Sequence, residues 1–216
     1  MLLRWRVGIL LLLLAAAAVV GFILYQDITS NDDIDSSPTV VAAIEKQRGP
    51  GHVSYMIHEH AVPDGQVAFF IRNMPSDGIH IGAEYIKKTP NGWKWGYGGE
   101  FGRSNYELGL TDTEARREMF EPMYFSSTEG TEFDSPFPMV FGIVIHPDIR
   151  RMTAKDYLTG LEKQAELIEV ERNFKLFYVF LDRNQGTKFD ITGYTADGSV
   201  LHKETIQDEA DQQSHR

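Results

Sequence analysis

The chain has no cysteine among its 216 residues. That absence excludes a disulfide framework, thiolate metal sites, a cysteine nucleophile and a lipidated cysteine anchor. Positive charge is also sparse, with 21 Lys and Arg against 31 Asp and Glu. The glycines carry no Gly-Lys-Ser or Gly-Lys-Thr ending, and Gly96-x-Gly98 lacks the third glycine of a dinucleotide turn, so neither phosphate cradle is present. Ser126, Ser127 and Thr128 lie in no Gly-x-Ser-x-Gly elbow or Ser-x-x-Lys context, which removes the familiar serine nucleophiles.

What is abundant comes first in the chain. Residues 7–25 are an uninterrupted apolar run, long enough at about 1.5 Å per residue to reach across a hydrocarbon core of roughly 30 Å. Arg4 and Arg6 precede it, while Asp27, Asp32, Asp33 and Asp35 follow before any Lys or Arg, so the positive-inside rule puts the N-terminus in the cytoplasm. Ala15 to Ala18 also offer a signal-peptidase site. The run nevertheless continues through Val19, Val20, Phe22, Ile23 and Leu24, which favours a retained signal-anchor over a cleaved peptide. The expected organisation is a cytoplasmic stub (1–6), a transmembrane segment (7–25), an acidic linker (26–37), one extracytoplasmic domain (38–206) and a disordered tail (207–216). Localisation is then the cell membrane, single-pass, with the C-terminal domain outside. Beyond the run, 19 Lys and Arg face 31 Asp and Glu, a formal charge of −12 that keeps a domain soluble and argues against nucleic acid or anionic lipid as partner.

The domain reads as mainly β, an antiparallel sheet or sandwich with one or two short helices. Ser37-Pro38 resembles an N-cap followed by a first-turn proline, with Val40, Val41 and Ile44 on one face and Gly49-Pro50-Gly51 as the stop. Three turn signals separate strand-like runs: Pro63-Asp64-Gly65, Pro90-Asn91-Gly92 and Asp197-Gly198. Their glycines suit the positive φ of a hairpin, and Gly65 and Gly92 are expected to adopt it. Thr111 to Glu114 has capping-box spacing for a short helix over 111–120, and Pro122, Gly130, Pro136 and Pro138 mark a long loop. Met139 to Ile145 and Lys175 to Leu181 read as buried strands. The stretch 153–172 fits helix or strand, and Gly160 favours a strand from Gln164 to Val170 paired with 175–181.

Several local signatures carry a family likeness: Ile57-His58-Glu59 and Val67-Ala68-Phe69-Phe70, Lys87-Lys88-Thr89 ahead of Gly92-Trp93-Lys94-Trp95, Gly142 ahead of Pro147-Asp148-Ile149, and Tyr194 with Asp197-Gly198. Over most of residues 52–204 the chain resembles small exported or membrane-anchored proteins of Gram-positive, Bacillus-like bacteria that have no assigned activity. The resemblance implies an envelope location and a β-rich fold, and carries over no catalytic residue.

Two constellations are candidates for chemistry. His58 and His60, two apart on a strand, share a face and could both reach one metal ion, zinc being the natural occupant, with His80 and Glu84 as further ligands. The competing reading places both histidines on the solvent face of an edge strand. Trp93, Trp95 and Tyr97 alternate along another strand and form either a row of core rings or an exposed ligand-binding platform. Glu129, Glu132 and Asp134 make the proline-flanked loop acidic without EF-hand spacing, as a solvated loop would be. The leading functional expectation is a non-catalytic binding or accessory protein of the bacterial envelope, without a cofactor, partnered by another envelope protein or the cell-wall polymer. The alternative is an exported metal-assisted hydrolase using His58 and His60.

Overall fold

The computed structural model describes residues 19–20, 35–74, 78–104, 120–170 and 174–208. The run 7–25 apart from Val19 and Val20, most of the linker, the helix expected over 111–120 apart from Phe120, and the tail from 209 lie outside the described residues. Among the described residues no helix is long and apolar enough to cross a membrane.

The domain begins with helix α1 (Val40–Arg48). Its N-cap is Thr39, two residues later than expected, whose hydroxyl accepts the Ala42 N–H at 3.1 Å. Ser37 is extended instead: it exchanges backbone hydrogen bonds of 2.7 and 2.8 Å with Trp93 and so straps the incoming chain to a strand edge. Gly49 ends the helix at φ 110°, as its sequence position foretold.

Twelve strands follow: β1 (Tyr55–Val62), β2 (Gly65–Met74), β3 (Gly78–Thr89), β4 (Gly92–Ser104), β5 (Phe120–Phe125), β6 (Met139–Val144), β7 (Arg151–Asp156), β8 (Glu162–Gln164), β9 (Glu166–Val170), β10 (Phe174–Phe180), β11 (Lys188–Tyr194) and β12 (Val200–Gln207). They form three antiparallel sheets, ordered β1-β2-β3-β4, β5-β6-β10-β9 and β12-β11-β7-β8. The middle sheet is packed on both faces. Phe141, Met139, Leu176 and Tyr178 meet Val67, Phe69, Ile71 and Ile81 of the first sheet, while Val140, Val144, Phe177 and Val179 meet Met152, Ala154, Phe189 and Ile191 of the third. Helix α1 covers the far side of the first sheet, placing Val40, Ala43 and Ile44 on Ala68, Phe70 and Ile86. This layering explains why Met139–Val144 reads as a continuous apolar run, since neither face meets water.

The β-rich expectation is therefore met by three stacked sheets with one described helix. All three hairpins stand where the turn residues put them. Gly92 and Gly198 adopt positive φ, of 136° and 87°, but Gly65 does not. What excludes a side chain at Gly65 is the carbonyl oxygen of Ile86 where its Cβ would stand. The long loop expected from Pro122 begins later, because β5 is an edge strand in which proline's missing N–H costs no ladder bond. The ambiguous stretch is strand, and β9 pairs β10 as expected, but its forerunner β8 pairs β7 in a different sheet. Ala165, whose N–H is held by Met152 O at 2.9 Å, is the joint where the chain changes layer.

Candidate functional site

The aromatic row of β4 does not share one face. Tyr97 pairs with Tyr85 and Trp95 pairs with Ile86, so Gly96 is an extra residue in the ladder. A bulge of this kind reverses the alternation beyond it. Tyr97 accordingly packs into the core between the first and second sheets, whereas Trp93 joins the cluster beneath α1. Gly96 must be small because a Cβ would meet the Tyr85 ring at 2.8 Å. All three rings are half-buried, so the expectation that they are jointly buried or jointly exposed on one face is replaced by a divided row.

Trp95 is fixed from three sides. Its indole Nε1–H donates to Glu84 Oε2 at 2.5 Å, the Arg48 guanidinium lies 5.2 Å from its ring centroid, and Phe133 meets it edge-to-face at 6.1 Å. Glu84 is 1% exposed. Burial pushes its carboxyl pKa up, and it is opposed by the Arg48 charge and by hydrogen bonds from Arg48 Nε, at 2.8 Å, and Trp95. Helix α1 thus supplies, through Arg48, the cation that holds the buried carboxyl orienting the indole. Gly98 leaves the room, since a Cβ there would stand 2.6 Å from Glu84 Cγ, and its carbonyl accepts Arg48 Nη2–H at 3.1 Å.

Two clefts flank this ring. One of about 280 Å³ is bordered by Lys87, Lys88, Lys94, Trp95, Glu132 and Phe133. The other, about 180 Å³, is bordered by Asp35, Lys46, Lys94 and Trp95. Lys94 ion-pairs with Asp35 at 3.3 Å. Beside them on the same sheet face, Glu100 accepts from Arg72 Nη1 at 2.5 Å, and His80 Nδ1 at 3.1 Å and His52 Nε2 at 3.4 Å lie near its carboxylate without hydrogen-bond alignment. Burial lowers the His52 pKa despite the Glu100 charge, and this group ties β2, β3 and β4 to the segment after α1.

His58 and His60 do share a face, but neither the metal geometry nor the solvent reading fits them. Tyr178 of β10 stands between the rings, its Oη 3.1 Å from His58 Nε2 and 3.0 Å from His60 Nδ1. One phenol proton serves two imidazoles, so Oη donates to one ring and accepts an N–H from the other. The ring centroids are 6.5 Å apart, whereas a shared tetrahedral zinc at about 2.0–2.1 Å from each nitrogen would bring them to about 5 Å. The ladder irregularity at Ile57 aligns His58 with Phe69 and turns both histidines toward the second sheet. His80 and Glu84 cannot join them, because their register partners Arg72 and Ala68 belong to the opposite face. Among the described residues no group of three His, Asp or Glu side chains is placed to hold a metal ion. Burial and the neighbouring His58 lower the His60 pKa, and burial raises that of Tyr178.

In the 126–135 loop, Arg183 bonds Glu129 at 2.9 Å and Asp134 at 3.4 Å, and Thr128 Oγ1 lies 2.6 Å from Ser135 Oγ. Glu129 and Asp134 serve an arginine, and the Thr128 and Ser135 hydroxyls close the loop. Sequence reading missed Arg48, Phe133 and Tyr178, each distant in the chain from its aromatic or histidine partner. It placed Glu84 with the wrong group. Gly96 inside a strand pattern was the available sign of the bulge.

No family model, no curated protein and no solved structure matches the chain.

Proposed function

We propose that this chain is a membrane-anchored accessory protein of the bacterial envelope that binds and does not catalyse. Residues 7–25 are its tether, the domain lies outside, and its ligand sits against Trp95. The observation that carries this reading is the immobilised, half-exposed indole between two clefts. A ring already held by Glu84, Arg48 and Phe133 loses little freedom when a ligand packs on it, so the ordering cost of binding is largely met during folding. The strap at Ser37 brings the incoming chain to the same hairpin, so a tether would hold the clefts close to the outer membrane face. The partner is the wall polymer or another envelope protein. A metal-assisted hydrolase at His58 and His60 is the weaker reading, because the Tyr178 phenol fills the space between the rings.

The test uses the full chain in detergent, passed over isolated cell wall. Retention that falls in Trp95→Ala at a temperature where the variant is still fully folded supports the platform. Equal retention of both proteins removes it. Protease added to protoplasts should digest the domain, and full protection would overturn the assigned orientation.

A further inference from the structure

Given a ligand platform at Trp95, the arrangement of charge around it points to a narrower occupant. We propose that the larger cleft binds a saccharide carrying a phosphate group, the sugar ring on Trp95 and the anion on Lys87 and Lys88. The inference rests on the platform reading and adds the chemical class of its ligand.

Charge is the first support. From Lys87 to Trp95 there are three lysines and no acid, in a chain of formal charge −10. Lys87 and Lys88 are both exposed, and neither forms an ion pair among the described residues. Most cations near this face are already committed, Arg48 to Glu84 and Arg72 to Glu100. Lys87 and Lys88, successive on β3 and so on opposite faces of the strand, both border the cleft; Lys88 Nζ lies 6.0 Å from the Trp93 ring centroid, a contact that leaves its charge unneutralised, and together they give the cleft a cationic edge. Glu132, on the border of the same cleft, disfavours an anion near it and leaves the lysine rim as the position for the charge.

The chain itself supplies a precedent. Asp35, 56% exposed by side chain, sets its carboxylate 3.3 Å from Lys94 Nζ at the border of the adjoining cleft. Lys94 borders both clefts, so an anion is already accepted at the wall they share. Size is the third support: about 280 Å³ lies just below the usual range of small-molecule pockets and suits a single ring with its substituent. The C–H face of a pyranose meets an indole through apolar contact, while its hydroxyls stay in water on the open side. Trp95 can offer such a face without reorganising, since its N–H is already satisfied by Glu84.

The experiment titrates the full chain in detergent with three probes, following heat or tryptophan emission: N-acetylglucosamine 1-phosphate, N-acetylglucosamine and inorganic phosphate. The sugar phosphate should bind about tenfold more tightly than either fragment, the ratio expected when one charge-assisted contact adds to a stacked ring. Salt should weaken it. Lys87→Glu/Lys88→Glu should abolish the preference, and Lys87→Glu alone, which leaves the Lys88 contact with the Trp93 ring in place, should weaken it while the thermal midpoint stays nearly unchanged. Equal affinity for the sugar and its phosphate, unchanged in the double variant while Trp95→Ala loses both, overturns the anion proposal and leaves the platform standing. Inorganic phosphate binding as well as the sugar phosphate overturns the saccharide assignment. Saturable binding by none of the three overturns this proposal, and wall retention of Trp95→Ala then judges the platform separately.

Discussion

The two faces of the first sheet are built from the same strands and do different things. The face toward the second sheet is apolar and closed, with Val67, Phe69, Ile71, Ile81 and Ala83 at 0% exposure. The face beneath α1 alternates apolar residues with Glu84, Glu100, Arg72 and His80, and it opens at one end into the Trp95 clefts. One face is held by area removed from water, the other also by ion pairs and hydrogen bonds such as Arg48–Glu84 and Arg72–Glu100. The proposed ligand platform lies on the second, where side chains are fixed yet still reach solvent.

The comparison breaks first if truncations on the two faces cost the same. Phe69→Ala should destabilise by about 3–5 kcal/mol, as deleting a closed-in ring does. Trp95→Ala, with part of its ring already in water but with Glu84 left short of a donor, should cost less, about 2 kcal/mol. Chemical denaturation of both variants decides it. An equal loss would make Trp95 an ordinary core residue and remove the distinction.

Next in size is the polar pair. Arg48→Ala strands the Glu84 carboxyl, 2% exposed by side chain, and should cost about 2 kcal/mol, less than a fully buried pair because the Arg48 side chain is 33% exposed. Adding Glu84→Gln should recover part of that loss, since the amide needs no cation. A double variant no more stable than the single would mean that the arginine acts by packing alone.

These contrasts also show which parts of the molecule were legible in the sequence. Hairpin turns were, because Pro63-Asp64, Asn91-Gly92 and Asp197-Gly198 encode them within a few residues. So were β6 and β10, whose double burial writes an apolar run. The reversal at Gly96 was not, because a one-residue bulge moves Trp93 and Trp95 to the other face without changing their spacing in the chain. Nor was Tyr178, about 120 residues from the histidines it joins. Local chemistry specifies turns and periodicity, and the candidate site is assembled from contacts between layers.

A smaller effect sharpens the strap side of the comparison. Gly92 combines a φ of 136° with the Ser37 carbonyl oxygen where a Cβ would stand. Gly92→Ala should therefore cost about 1 kcal/mol or more and loosen the Ser37–Trp93 bridge. Amide exchange at Ser37 and Trp93 should quicken in the variant more than exchange in β6. Uniform exchange would show that the strap is not a separate unit of stability.

The smallest expected effect is a pH dependence at the seam between the first two sheets. His60 has a folded-state pKa below its ordinary 6.5, chiefly from burial and then from the neighbouring His58, with Glu166 opposing. The unfolded chain therefore takes up a proton at higher pH than the folded one. His60's contribution is fully present above about 6.5 and is lost as pH falls through the lowered folded value. The geometry gives the same sign. A charged His60 keeps a proton on the Nδ1 that faces Tyr178 Oη, so that ring can no longer accept the phenol proton, which is left with His58 alone. Other groups titrate as well: His52 has the same sign, and buried Glu84, with its raised pKa, has the opposite one. The informative quantity is thus the difference between wild type and His60→Asn in unfolding free energy at pH 8 and pH 5. Wild type should lose more stability on acidification than the variant, and Tyr178→Phe should narrow that difference by removing the shared hydroxyl. Parallel pH profiles in all three proteins would mean that His60 is not coupled to the Tyr178 hydroxyl and that the two sheets are joined at this edge by apolar contact alone.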